Sequence, residues 1–214
     1  MKDYFECPVK YLKLDILFPY EEMLTEAKAL RHRYVAHRGS ESQGWYSLTL
    51  HGFGEQKTGV WKDYGFKSSV EASDHMFWTA AADACPITKN FFLNSFPCLK
   101  YGRVRFMLLE AGGSIGLHSD SKIPLLENIT LVLNNPVDCV WLWGDGDQSP
   151  PLKPGEAYAM NISHKHAIVN NSNEDRFHII AARHDATPEW KSLIDQAAVN
   201  ANVQGRYISI NELP

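Results

Sequence analysis
His118-Ser119-Asp120, then His166, then Arg176 is the set of side chains in this sequence with the clearest chemical use. Two imidazoles and one carboxylate in the order H-x-D…H fit a facial triad that holds Fe(II) on one side and leaves the other positions open for substrate and O₂. At i and i+2 on extended backbone, His118 and Asp120 point the same way, so both reach one ion. Arg176 adds a permanently charged planar fork, able to grip a carboxylate through two parallel hydrogen bonds, as a dicarboxylate cosubstrate would need.

The elements that must position these groups are mostly strands. From Arg103 onward short alternating runs dominate: Arg103 to Leu109, Asn128 to Asn134, Val137 to Trp143, Glu156 to Met160, His166 to Val169 and Arg176 to Arg183. Turn signals punctuate them at Gly112-Gly113, Asn135-Pro136, Gly144 to Asp147 and Pro154-Gly155. Upstream, Tyr11 to Ile16 and Trp45 to Leu50 read as strands, and Gly39 and Gly44 bracket a loop. Met23, Ala27, Leu30 and Tyr34 make a helical stripe. A long loop over Glu55 to Ser69, a helix over Ser73 to Ala84 and another starting at Pro86 follow. Pro188 opens a last helix with Trp190, Leu193, Ile194 and Ala197 on one face. The pattern predicts one domain over 1–214: a helical N-terminal part to about residue 100, a mainly β core over 101–184, and a helix over 188–200. Many short strands with flanking helices predict a β-sandwich or jelly roll.

Alternation sorts the strand faces. Arg176, His178 and Ile180 share one face of the last strand, against Phe177, Ile179 and Ala181. With Arg176 turned into a jelly-roll mouth, the small polar groups of Asn128 and Thr130 are placed to bind the far end of the same ligand. Trp45, His51, Tyr64, Arg105 and Trp143 are the candidates to line a substrate pocket. Alternatives stand beside these readings. The chain has nine histidines, so His164 and His184 rival His166. Arg176 has Glu174 and Asp175 as surface partners, Arg103 and Arg105 read equally as solvated edge charges, and the aromatic residues as core.

Composition excludes several classes. Charged residues are 21% of the chain and the net charge is −4 with no basic run, which gives no footprint for nucleic acid or anionic membrane. No apolar run is long enough to span a bilayer, and MKDYFECPVK lacks the apolar centre of a signal peptide. The four cysteines are scattered without a C-x-x-C, so a zinc knuckle is not expected, and a reducing, cytoplasmic setting is. Oligomeric state leaves no trace in the sequence.

Arg105 followed by Leu109-Glu110-Ala111-Gly112-Gly113-Ser114-Ile115-Gly116-Leu117-His118-Ser119-Asp120 resembles the R-x-x-x-L-x-P-G-x-x-I-x-x-H-x-D run of the aspartyl/asparaginyl β-hydroxylase family. Asn161 to Arg176 is similar to its N-x-x-x-x-H-x-V-x-N-x-S-x-x-x-R pattern, with Ile168 in the Val column. Gly44 to Gly52 also resembles small family members from phage and environmental sources. The likeness covers Arg103 to Ala182, and its register selects His166 over His164. It implies a double-stranded β-helix, a cupin-like jelly roll. The implied cofactors are Fe(II), 2-oxoglutarate and O₂. The implied reaction is hydroxylation of an amino acid, or of an amino-acid residue in a peptide or protein, with 2-oxoglutarate decarboxylated to succinate. His118, Asp120 and His166 would hold iron, and Arg176 the distal carboxylate of 2-oxoglutarate. Asn128 and Thr130 fall where the family places an Arg and a His on the proximal carboxylate, and Ala111 stands where Pro is usual. Asp120 favours ordinary hydroxylation over halogenation, which needs the carboxylate's place vacant. The competing expectations are a cupin-like isomerase or hydrolase using another divalent metal, and a non-catalytic jelly-roll binding module.

Overall fold
A double glycine lets one strand serve both walls of the fold. The computed structural model describes residues 3–37 and 42–209; Gly39 lies outside them. The elements in chain order begin with strands β1 (Asp3–Glu6) and β2 (Tyr11–Leu14), helix α1 (Tyr20–Ala29), and strands β3 (Val35–Ala36) and β4 (Gln43–Gly52). Then come α2 (Ser69–Ser73), β5 (Phe77–Trp78), α3 (Ala80–Asp83), α4 (Pro86–Asn94) and β6 (Tyr101–His118). The rest are β7 (Leu126–Val132), β8 (Cys139–Trp143), β9 (Ala157–Asn161), β10 (His166–Asn170), β11 (Arg176–Arg183), α5 (Pro188–Asn200) and β12 (Arg206–Ser209).

The strand order β2-β9-β7-β11-β6-β10-β8, antiparallel throughout, follows from β6. Its first half pairs β11 and β4, up to Leu109, and its second half, from Ser114, pairs β10. From β7 to β11 the chain then alternates between the two halves: β7, β9 and β11 in one wall, β8 and β10 in the other. That alternation is a double-stranded β-helix, the jelly-roll architecture. The walls pack through Leu109, Val132, Tyr158 and Met160 on one side and Ile115, Trp141, Trp143 and Ile168 on the other. β1 and β12 form a separate two-stranded ribbon.

Gly112-Gly113, expected as a turn, is instead the bend inside β6. Gln43 pairs Ser114 but Trp45 pairs Leu109, so the segment 110–113 bulges outward opposite Gly44. Gly112 has φ 72°, and a Cβ on Gly113 would lie 2.9 Å from two backbone oxygens. A side chain fits neither position cheaply, and the glycines let the strand pass from one wall to the other.

The outer face of the first wall is covered by helices. Ile129 and Leu131 of β7 and Phe177, Ile179 and Ala181 of β11 enter this core with Phe91 and Phe92 of α4 and Trp190 of α5. Pro86 opens α4, and the Glu26 carboxylate of α1 accepts from Ile87 N (2.8 Å) and Thr88 N (2.9 Å) at its first turn. Thr187 caps α5 by accepting from Trp190 N.

Three expectations change. α1 buries Met23 and Ala27 but stops before Leu30 and Tyr34, where the chain turns so that Arg31 meets Glu110 and Asp175. The helix expected over Ser73 to Ala84 breaks, because Phe77–Trp78 pair with His51–Gly52 and Thr79 N donates to Leu50 O (2.8 Å). The N-terminal part is not a helical block: β2 and β4 extend the first wall, where β4 borders β6 over most of its length. Among the described residues no helix is long and apolar enough to cross a membrane.

Candidate metal centre and adjoining cavities
β6 ends at His118 and β10 begins at His166, and antiparallel pairing sets the two residues directly opposite each other. Their rings lie 4.4 Å apart. Asp120, two residues past His118, is held by its backbone N donating to Ile162 O at 3.0 Å. Its Oδ2 lies 3.5 Å from His118 Nε2 and 3.7 Å from His166 Nε2. One ligand atom from each residue falls within 4.8 Å of the others. His164 and His184, the rival imidazoles, are outside this cluster; His164 stands edge-on to Trp143 instead.

The other ring nitrogens fix the tautomers. His118 Nδ1 is 2.7 Å from Gly116 O, and His166 Nδ1 is 2.9 Å from His164 O. A carbonyl only accepts, so in each neutral ring Nδ1 carries the proton and Nε2 keeps its lone pair for a metal. Trp141 lies flat against His166, 4.6 Å away at 8°, and locks its ring. Once the ring is protonated its Nε2–H donates toward Asp120, which holds the His118 imidazole above its ordinary value, against the opposing effect of burial. Burial pushes His166 below its ordinary value. Neutral imidazole and carboxylate donors without thiolate suit Fe(II).

Behind the cluster lies an inner cavity lined by Asn128, Thr130, Trp141, Arg176 and His178 as well as the three candidate ligands. The β-ladder puts them there. Arg176 sits opposite Leu109, His178 opposite Met107 and Val132, and Ile180 opposite Arg105 and Thr130. Arg176 is 1% exposed. Its Nε donates to Asn135 Oδ1 (2.9 Å), while Nη1 and Nη2 are buried with no hydrogen-bond partner. Burial pulls the guanidinium below its ordinary value and His178 well below its own. Asn128 Oδ1 and His178 Nδ1 are likewise buried and unsatisfied. Such groups are costly unless something occupies the cavity to pair with them. A carboxylate fits the two open guanidinium arms.

A second cleft, of ≈ 360 Å³, opens beside the first and shares Trp45, Asp120, Asn128, Ile162 and Ile180 with it. Arg105 lines it, opposite Thr49 across the ladder. Of the expected pocket residues, Trp45 and Arg105 are therefore placed at the cavities and three are not. His51 is turned away, because a bulge between Thr49 and His51 pairs it with Val104 on the helix-covered face; it packs on Trp78 and Tyr101 and bonds Gly102 O (2.6 Å). Tyr64 folds back into its own loop, its hydroxyl accepting from Gly59 N (3.0 Å) and its ring against Phe53. Trp143 is inward-facing but packs behind Trp141, under the Lys10 ammonium. Trp141 and Asn135 are the neighbours the sequence reading missed. Alternation along Cys139, Trp141 and Trp143 carries the first; Asn135, beyond the end of β7, carries no such signal.

A larger cleft, of ≈ 630 Å³, lies by the β1–β12 ribbon, where Glu6 and Arg206 pair with each other. The convergent donors belong to the smaller inner cavity, so size does not mark the site.

Fold and site together fit a jelly-roll metalloenzyme, with a buried guanidinium behind three candidate metal ligands. Residues 18–184 match the family described as aspartyl/asparaginyl beta-hydroxylase, and the chain belongs to that family. It is thus a hydroxylase of the 2-oxoglutarate-dependent dioxygenase class, whose metal is Fe(II). None of the curated proteins matches the chain. Among solved structures, a prolyl-4-hydroxylase from Pseudomonas putida shares 12% identity over 83% of this chain and 93% of its own, with TM-score 0.46. A Trichoplax adhaerens prolyl hydroxylase, solved with a peptide fragment, shares 11% over 86% of each chain, with TM-score 0.49. A viral collagen prolyl hydroxylase from Paramecium Bursaria Chlorella virus-1 shares 13% over 82% and 96%, with TM-score 0.45. Likenesses this remote carry no residue role and no substrate.

Proposed function
We propose that His118, Asp120 and His166 hold Fe(II), that Arg176 anchors 2-oxoglutarate by one carboxylate, and that the substrate is an amino acid or an amino-acid residue of a peptide. One observation carries the reading. Two Nε2 atoms and one carboxylate oxygen converge in the same cavity as a buried guanidinium with two unpaired arms. A jelly-roll isomerase or hydrolase working on another divalent metal would have no use for that guanidinium.

When bound, Fe(II) supplies O₂ activation coupled to decarboxylation of 2-oxoglutarate to succinate. The protein's own groups do the rest. Gly116 O and His164 O keep the ligand imidazoles oriented. Trp141 shields His166 from water. Arg176 sets the cosubstrate's orientation, with Asn128 and Thr130 on the same lining to complete its polar contacts. Substrate enters by the second cleft, where Trp45 offers an apolar wall and Arg105 a cation suited to an amino-acid carboxylate. A reducing, cytoplasmic location agrees with four buried cysteines that form no disulfide.

The test is a succinate-release assay with Fe(II) and 2-oxoglutarate against a panel of free amino acids and peptides. Substrate-dependent succinate together with a product heavier by one oxygen is expected. A protein that binds Fe(II) but never turns over 2-oxoglutarate, with or without substrate, would sink the reading.

A further inference from the structure
The sequence marks Asn134 and Asn135 only as a strand end and a turn, yet every polar side-chain atom of both is hydrogen-bonded in the structure, on or beside Arg176. Asn135 Oδ1 accepts from Arg176 Nε at 2.9 Å, and its Nδ2 donates to Cys139 O at 3.2 Å. The amide cannot flip without losing both bonds. Asn134 Oδ1 accepts from Phe177 N (2.6 Å), its Nδ2 donates to Asp175 O (2.8 Å), and its backbone N donates to Phe177 O (3.1 Å). These three bonds grip the residues on either side of Arg176. They carry the β7–β11 ladder past its last regular pair, His178 opposite Val132.

The charges nearby are arranged to match. Asp175, next to Arg176 in sequence, faces outward to Arg31 (2.8 Å) and to Ala111 N (3.1 Å). Arg31 also takes Glu110 (3.0 Å). Among the described residues, the acceptor given to the Arg176 guanidinium is therefore a neutral amide, and its positive charge stays uncompensated in a buried site. A buried cation without a counter-charge costs folding free energy, which a bound carboxylate relieves.

We propose that Asn134 and Asn135 are positioning residues for the cosubstrate anchor, and that position 135 is neutral so that the charge of Arg176 is kept for the ligand. Asn134 fixes the backbone at Arg176, and Asn135 fixes the roll of the guanidinium so that both Nη groups face the cavity. The proposal rests on the reading of Arg176 as the 2-oxoglutarate anchor. It sets stability against binding at one atom: a carboxylate at position 135 would satisfy the protein and starve the ligand.

The experiment compares the unaltered protein with Asn135→Asp, Asn135→Ala and Arg176→Ala. The readouts are iron content, Tm without ligand, and the anaerobic dissociation constant of 2-oxoglutarate on the Fe(II)-loaded protein. Asn135→Asp should raise Tm by about 2–4 °C and weaken 2-oxoglutarate about tenfold. Asn135→Ala should weaken 2-oxoglutarate several-fold while lowering Tm. Iron content should be unchanged in both, since neither residue is a metal ligand. An Asn135→Asp chain that melts below the unaltered protein, or fails to fold, overturns the charge argument. An unchanged constant in Asn135→Ala overturns the positioning role. If Arg176→Ala also binds 2-oxoglutarate as tightly as the unaltered protein, the anchor reading itself has failed, and that outcome is separable from the other two.

Discussion
The two ends of the inner cavity are built on opposite principles. At the metal end two of the three polar groups reach solvent: the His118 and Asp120 side chains are 30% and 39% exposed, and only His166 is buried. At the anchor end a full positive charge is sealed from water and left without a counter-ion. The metal end can rest without its ligand, because imidazole, carboxylate and water can share protons and hydrogen bonds. The anchor end is destabilised until something fills it. Function therefore costs stability at Arg176 far more than at His118.

Substitution at the metal end should give the largest functional effect with a small structural one. His118→Ala and His166→Ala are each expected to lose iron and hydroxylation together. Stoichiometric iron in both variants, by metal analysis, would refute the ligand assignment. Asp120→Gly should sharply weaken hydroxylation and opens a position for halide; undiminished hydroxylation would show that the carboxylate is not a required ligand.

The anchor end should behave the other way round. A charge-assisted pair is worth roughly 1.5–3 kcal/mol, so Arg176→Ala should weaken 2-oxoglutarate by about one to two orders of magnitude. Iron binding should survive. Arg176→Lys should recover only part, since an ammonium cannot make two parallel bonds. Arg176→Met removes the stranded charge and keeps the volume. It should stabilise the fold by about 1 kcal/mol or more, roughly 2–4 °C in Tm for a chain of this size. A Met variant less stable than the unaltered protein would erase the contrast between the two ends.

The ends are joined by the bend in β6, and Gly113→Ala probes that joint. The added methyl meets Gln43 O and Glu110 O at 2.9 Å, both backbone. A loss of about 1–3 kcal/mol is expected by chemical denaturation, with iron and 2-oxoglutarate binding lost together. Loss of only one would show that the two walls are not coupled there.

The smallest effect concerns pH. His178, packed beside Arg176, has its pKa lowered by burial first and by Arg176 second. Above its ordinary value of 6.5 the ring is neutral in both the folded and unfolded chain, so it contributes no pH dependence. Below that, the unfolded chain takes up a proton that the folded one refuses, so stability falls as pH falls. His178→Phe should make the decline between pH 6.5 and about 5 shallower. His51 and His166 are shifted the same way and should keep part of it. An unaltered slope would mean His178 is protonated in the folded protein.

Sequence alone determined what depends on local order. The two-residue period of a strand puts Arg176 and His178 on the inner face and Phe177 and Ile179 on the outer, whereas Asp120, past the end of β6, is set beside His118 by a bend tied to Ile162 O. Sequence also determined the strand-rich texture from which a jelly roll was expected. The tertiary structure decided whatever depends on register between distant strands. One bulge after Thr49 turns His51 from the cavity to the helix-packed core, although i, i+2 counting from Trp45 puts it inside. Two glycines that read as a chain reversal became a bend within one strand, because β4, β10 and β11 pair on either side of them. Pairing of His166 with His118 set the third donor opposite the first two, while His164 fell outside. Asn135 gained its partner only when the end of β7 met the start of β11. A side chain's direction follows from its neighbours in sequence; its partner follows from strand pairing over long range, which one shifted residue reverses.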